Sequence, residues 1–106
     1  MPRYMLKVRY SVEGINGVRK EGGTAREAAA RKLVESVGGK MLSFDYAFGD
    51  HDVYVICEAP SNAAMASAAT MVSASGAATA ETVVLLTPSE VDEAVKAQVE
   101  YRKPGA

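Results

Sequence analysis

His51 is the only histidine of the chain, and it stands between two carboxylates in Ala47-Phe48-Gly49-Asp50-His51-Asp52-Val53. Imidazole titrates near neutrality, and an adjacent carboxylate raises its pKa. These are the residue types of a general base or of a metal ligand. Two arguments weigh against both roles. Neighbours along a strand point to opposite faces, so Asp52 need not touch His51. A transition metal takes three or four protein ligands, and no second His or Cys stands at suitable spacing. The residues favour a solvated turn histidine over a ligand-binding one, and neither a metal nor a cofactor is expected.

Other candidates divide in the same way. Asp52, Tyr54 and Arg9 can form a polar floor for a small ligand, or Asp52 can simply pair with Lys7 or Arg9 across neighbouring strands. Glu81 is a possible catalytic carboxylate or a solvated strand-end residue. Tyr10 and Glu13 close the first strand, where site residues often gather; the plain reading is a turn and a cap. Gly22-Gly23-Thr24 leads into a helix N-terminus, which can hold an anion, but phosphate-loop spacing is missing and a chain break is the simpler reading. Cys57 reads as a small buried hydrophobe. Met65 and Met71 read as core. The catalytic candidates are therefore His51, Asp52 and Glu81. The ligand-binding candidates are Tyr10, Arg9, His51, Asp52 and Tyr54.

The elements that must position these residues follow from periodicity. Tyr4 to Tyr10 alternates, with Tyr4, Leu6, Val8 and Tyr10 on one side and Met5, Lys7 and Arg9 on the other. Ser11 can cap a short helix over Val12 to Arg19, weakened by Gly14 and Gly17. After Gly22-Gly23, Thr24 and Glu27 have capping-box spacing. Ala30, Leu33, Val34 and Val37 then give a second helix its buried face, and Gly38-Gly39 ends it. Met41 to Phe48 and Asp52 to Glu58 are two further strands. A turn at Gly49-Asp50 pairs Phe48 with His51, Tyr46 with Val53, Phe44 with Val55 and Leu42 with Cys57. That register gathers the apolar residues on one face, and a one-residue slip would scatter them. Gly49 suits the first central position of a type II′ turn.

A third helix starts at Pro60-Ser61-Asn62, with Met65, Ala68, Ala69 and Val72 as its stripe and Gly76 as its stop. Thr79 to Leu86 is a fourth strand. Thr87-Pro88-Ser89-Glu90 has the cap, the first-turn proline and the box glutamate of a last helix. Val91, Ala94 and Val95 form its apolar side. Residues 1–100 read as one domain and residues 101–106 as a fraying tail.

This order is an α+β, ferredoxin-like βαββαβ with an extra C-terminal helix and a four-stranded antiparallel sheet whose first and third strands are central. Helices cover only one face of such a sheet, the one expected to carry Leu42, Phe44, Tyr46, Val53 and Val55. The other face carries Met5, Lys7, Arg9, Ser43, Asp45, Tyr54, Ile56 and Glu58. It is amphipathic rather than fully polar, and a single subunit would leave it in water, which predicts a homodimer or a higher homo-oligomer.

With 106 residues the chain can bury a core unaided. Its net charge of -1 argues against nucleic acid or a membrane surface as partner. No stretch has the length of a transmembrane span or the apolar run of a signal peptide. A single cysteine excludes an intrachain disulfide and fits a reducing cytoplasm.

Phe48-Gly49-Asp50-His51-Asp52-Val53, followed by Glu58-Ala59-Pro60, resembles the signature of the GYD-domain proteins, small proteins of bacteria and archaea. Further matching stretches are Tyr10 to Gly14, Lys32 to Lys40, Val72 to Gly76 and Glu81 to Pro88. The family pattern is Gly-Asp-Tyr-Asp, and here His51 stands at the tyrosine position. The resemblance implies similarity to dimeric α/β-barrel proteins and no established biochemical role.

Three functions follow as expectations. The first is a homo-oligomeric module, binding or regulatory, with a pocket for a small organic molecule or anion. The second is a cofactor-free enzyme of the dimeric α/β-barrel kind, an oxygenase or isomerase. The third is a structural or interaction role. The sequence shows no nucleophile paired with a base, and fold alone does not fix function.

Overall fold

A computed structural model describes all 106 residues. Eight elements follow one another: β1 (Arg3–Tyr10), α1 (Val12–Glu21), α2 (Gly23–Ser36), β2 (Lys40–Tyr46), β3 (Val53–Glu58), α3 (Asn62–Ala74), β4 (Ala78–Leu85) and α4 (Pro88–Lys96). The strands form one antiparallel sheet in the order β2-β3-β1-β4. This is the expected ferredoxin-like α+β arrangement, with β1 and β3 in the centre.

The helix boundaries have local causes. Ser11 caps α1 by accepting from the amide of Gly14. Gly22 has φ 90, a value a side chain disfavours, and it turns the chain from α1 directly into α2. As a result α2 starts at Gly23 with no side-chain cap, so the capping box expected at Thr24 and Glu27 is not made. At the other end the amide of Gly39 donates to Val34 O and that of Gly38 to Glu35 O, a Schellman closure. Ser61 caps α3, and the Thr87–Glu90 capping box with Pro88 opens α4.

Gly14 has a packing reason. A Cβ there would stand 1.9 Å from the carbonyl oxygen of Ala77. The start of α1 lies that close to the start of β4, and Ser11 N donates to the same carbonyl at 2.9 Å.

The core lies between the sheet and α2 and α3. Tyr4, Val34, Met41, Val53, Val55, Cys57, Ala59, Met65 and Ala68 are buried in one cluster. The Tyr4 hydroxyl donates to Asn62 Oδ1 at 2.6 Å, so its burial strands no polar atom. Cys57 lies against Met65, Sγ to Sδ 3.7 Å, and burial pushes its thiol pKa up. It is an inert core thiol, as expected.

Two expectations about the β2–β3 hairpin need correction. The Tyr46–Val53 and Phe44–Val55 pairs form, but a bulge between Met41 and Ser43 puts Met41 opposite Cys57. Leu42, expected in that place, is 41% exposed. The turn is also wider than two residues. The Ala47 amide donates to Asp52 O at 2.8 Å, and Phe48 to His51 loop out beyond that pair. Gly49 does not have positive φ, so no type II′ turn is made. Arg9 reaches from β1 and donates through Nε to Asp50 O at 2.8 Å, a contact with the widened loop from outside the hairpin.

The opposite face of the sheet has no helix on it. α4 does not supply the cover, since each of its residues is exposed. The molecule is drawn out to 57 × 33 × 22 Å with a radius of gyration of 16.9 Å, against about 13 Å for a compact 100-residue domain. No helix is long and apolar enough to cross a membrane.

Candidate ligand-binding site

α2 and α3 leave a gap between them over the sheet. The gap is a cavity of about 260 Å³, floored by Leu6, Val8, Phe44, Val53 and Val55 and walled by α2 and α3. Small side chains make it: Ala29 and Ala30 on one wall, Ala68 and Ala69 on the other. Eighteen of its twenty lining residues are hydrophobic, so its polar groups can be traced one by one. Ser75 spends its hydroxyl on Val72 O at 2.6 Å. Tyr10 and Arg26 remain.

Tyr10 ends β1 on the helix-covered side, with Tyr46 and Arg26 beside its phenol. Burial first, and then the neighbouring Tyr46, raise its pKa, while Arg26 opposes the shift. Tyr10 is therefore a neutral O–H donor at neutral pH. Tyr46 is likewise raised, chiefly by desolvation, and donates to Gly23 O at 3.0 Å. Arg26 Nη1 lies 3.4 Å from Glu21 Oε2, an exposed contact across the α1–α2 junction.

The remaining candidates lie elsewhere. On the uncovered face Lys7 stands opposite both Tyr54 and Glu81 in the sheet register. Lys7 Nζ is 3.4 Å from Glu81 Oε2, and His51 Nε2 approaches the same oxygen at 3.5 Å. The hydrogen bond from Lys7 is the main cause that lowers the Glu81 pKa, and His51 adds to it. The His51 ring meets Tyr54 edge-on, with centroids 5.9 Å apart. At 9% exposure His51 is buried, which overturns its reading as a solvated turn residue. Phe48, in the same loop, is fully exposed.

Asp52 does not pair with Lys7 or Arg9. Its Oδ2 accepts from the Tyr10 amide at 2.8 Å, and its own amide donates to Val8 O. Both contacts lock the loop to β1. Arg9 is engaged with Asp50 O. Of the five ligand-binding candidates, only Tyr10 lines the cavity between α2 and α3; Asp52 lines a separate groove with Ile15, Tyr46 and Phe48. His51, Tyr54 and Glu81 come together on the other face. Sequence reasoning missed Arg26 and Tyr46. Arg26 had a visible signal: it extends the helical stripe of Ala30, Leu33 and Val37 by one turn towards the N-terminus. No three His, Cys, Asp or Glu side chains gather closely enough to share a metal ion.

No curated protein and no solved structure matches the chain. The pattern defining the GYD domain matches residues 4–95, from β1 almost to the end of α4. The chain belongs to the GYD domain family.

Proposed function

We propose that this GYD-domain protein is a homo-oligomeric module that binds a small organic molecule in the cavity between the sheet, α2 and α3, in a regulatory or carrier capacity. The cavity carries the reading. α2 and α3 do not close over the sheet, and about 260 Å³ stays open between them amid apolar walls. Such a space, with a few convergent polar groups, has the character of a ligand pocket. The homo-oligomer rests on the uncovered sheet face and on α4, which exposes Val91 and Val95 to no partner. The chain's slight net charge leaves nucleic acid and membranes without an electrostatic basis. A cytoplasmic setting belongs to the same proposal, since Cys57 is a free thiol.

The enzyme alternative has weaker support. His51 and Glu81, the groups suited to proton transfer, sit on the face opposite the cavity. The test is a thermal-shift screen of small apolar compounds against the wild type and Ala69→Phe, whose ring would occupy the cavity. Compounds that raise the melting temperature of the wild type and not of the folded variant support the proposal. Equal responses from both proteins would overturn it.

A further inference from the structure

We infer that the cavity's ligand is an apolar monocarboxylate, with its hydrocarbon body between α2 and α3 and its carboxylate at the rim on Arg26 and Tyr10. This rests on the binding function proposed above and names the ligand's chemistry.

The lining decides the class. Apolar walls over nearly the whole cavity exclude a sugar or a polar metabolite, whose hydroxyls would lose water and find no partners. The lining has one charged residue, Arg26, and no Asp or Glu. A cationic ligand would meet a guanidinium whose counter-charge, Glu21, lies outside the lining in a weak exposed contact, whereas an anion finds its complement. Guanidinium also matches a carboxylate in geometry, through two parallel N–H donors.

Position matters as much as charge. The Arg26 side chain is 39% exposed. A carboxylate held there keeps part of its hydration while the chain behind it is buried, so no bare charge enters the apolar interior. Tyr10 adds a donor, since a phenol is protonated at neutral pH and burial shifts this one further in that direction. Ser75 adds none, its hydroxyl being engaged with Val72 O. An amide or ester of the same acid would fill the cavity equally well and forgo only the charge-assisted contacts.

Glu21 is the built-in competitor. Its carboxylate approaches Arg26 Nη1 at 3.4 Å from the end of α1. A ligand carboxylate must displace that contact, which at an exposed site is weak. Removing the Glu21 charge should therefore tighten acid binding and leave amide binding alone. A merely structural Arg26–Glu21 pair would not behave in this way.

The experiment is calorimetric titration of the full-length protein with hexanoate, octanoate and 2-naphthoate, each against its uncharged carboxamide. The expected result is that the best acid binds about tenfold or more tighter than its amide, the scale of a charge-assisted pair. Arg26→Gln, checked for folding by thermal unfolding, should bring the ratio close to one by weakening the acid only. Glu21→Gln should strengthen the acid severalfold. Acids and amides binding alike would overturn the carboxylate assignment and leave the cavity's binding role standing. Amides binding while acids do not would also overturn it. Failure of these probes together with the whole apolar panel of the thermal-shift screen would overturn both readings.

Discussion

Single residues in this protein are best understood by what stands next to them. Gly14 sits where β4 passes the start of α1, and a methyl group there has no room beside Ala77 O. Gly14→Ala should destabilise the protein by about 1–3 kcal/mol, the usual range for forced overpacking. Gly49 has open space and no positive φ, so Gly49→Ala should leave the unfolding temperature nearly unchanged. Chemical denaturation of the two variants side by side checks both outcomes. A second residue-scale prediction concerns Glu81, whose pKa is lowered first by Lys7 and then by His51. Its folded pKa lies below its unfolded one. Its ion pairs therefore favour the fold above the unfolded pKa, and that contribution disappears as pH falls through the folded pKa. The stability effect is small because the group is exposed. The titration itself is the better readout. Lys7→Met should move the Glu81 carboxyl up towards its ordinary value in a carbon-detected NMR titration, and His51→Ala should move it less. An unmoved midpoint in Lys7→Met would show that Lys7 is not the cause.

Among the elements, α4 is the anomaly. It has a complete capping box and an amphipathic sequence, yet it rests on nothing. Nine residues are too few to hold a helix alone, since isolated helices below about 12–15 residues are marginal in water. Its apolar residues Val91 and Val95 are expected to dock on a second copy. The double variant Val91→Asp, Val95→Asp should then dissociate the assembly while the sheet domain keeps its own folding transition. Sedimentation equilibrium of wild type and variant checks this. A monomeric wild type at tens of micromolar protein, roughly the range where a stable dimer persists, would remove the assembly altogether. Much of the element plan could be read from the residues. Strand alternation gave the hairpin register through Tyr46–Val53, and Thr87-Pro88-Ser89-Glu90 marked the start of α4. The turn could not be read in the same way, because its contacts include Arg9 and Val8, far away in sequence. The missing cap on α2 follows from Gly22, whose positive φ starts the helix one residue before Thr24.

At the scale of the whole molecule, the two faces of the sheet have separate properties. The helix-covered face holds the cavity, and the uncovered face holds Lys7, His51, Tyr54 and Glu81. The sequence indicated the second group by its residue types. It gave no sign of the cavity, because its volume depends on how far apart α2 and α3 stand, and the alanines whose small side chains leave it unfilled look like ordinary helix-forming residues. Tyr10 is legible from its place at a strand end, and Arg26, which completes the rim, only from its alignment with the stripe of Ala30, Leu33 and Val37.

Whether that cavity carries a ligand is the central question, and native mass spectrometry of the protein purified gently from its own host answers it most directly. The account predicts a discrete bound small molecule on the wild-type subunit, released on denaturation, and its loss from Ala69→Phe. A wild-type subunit bearing only its polypeptide mass, or an adduct equally abundant on the cavity-filled variant, would contradict it.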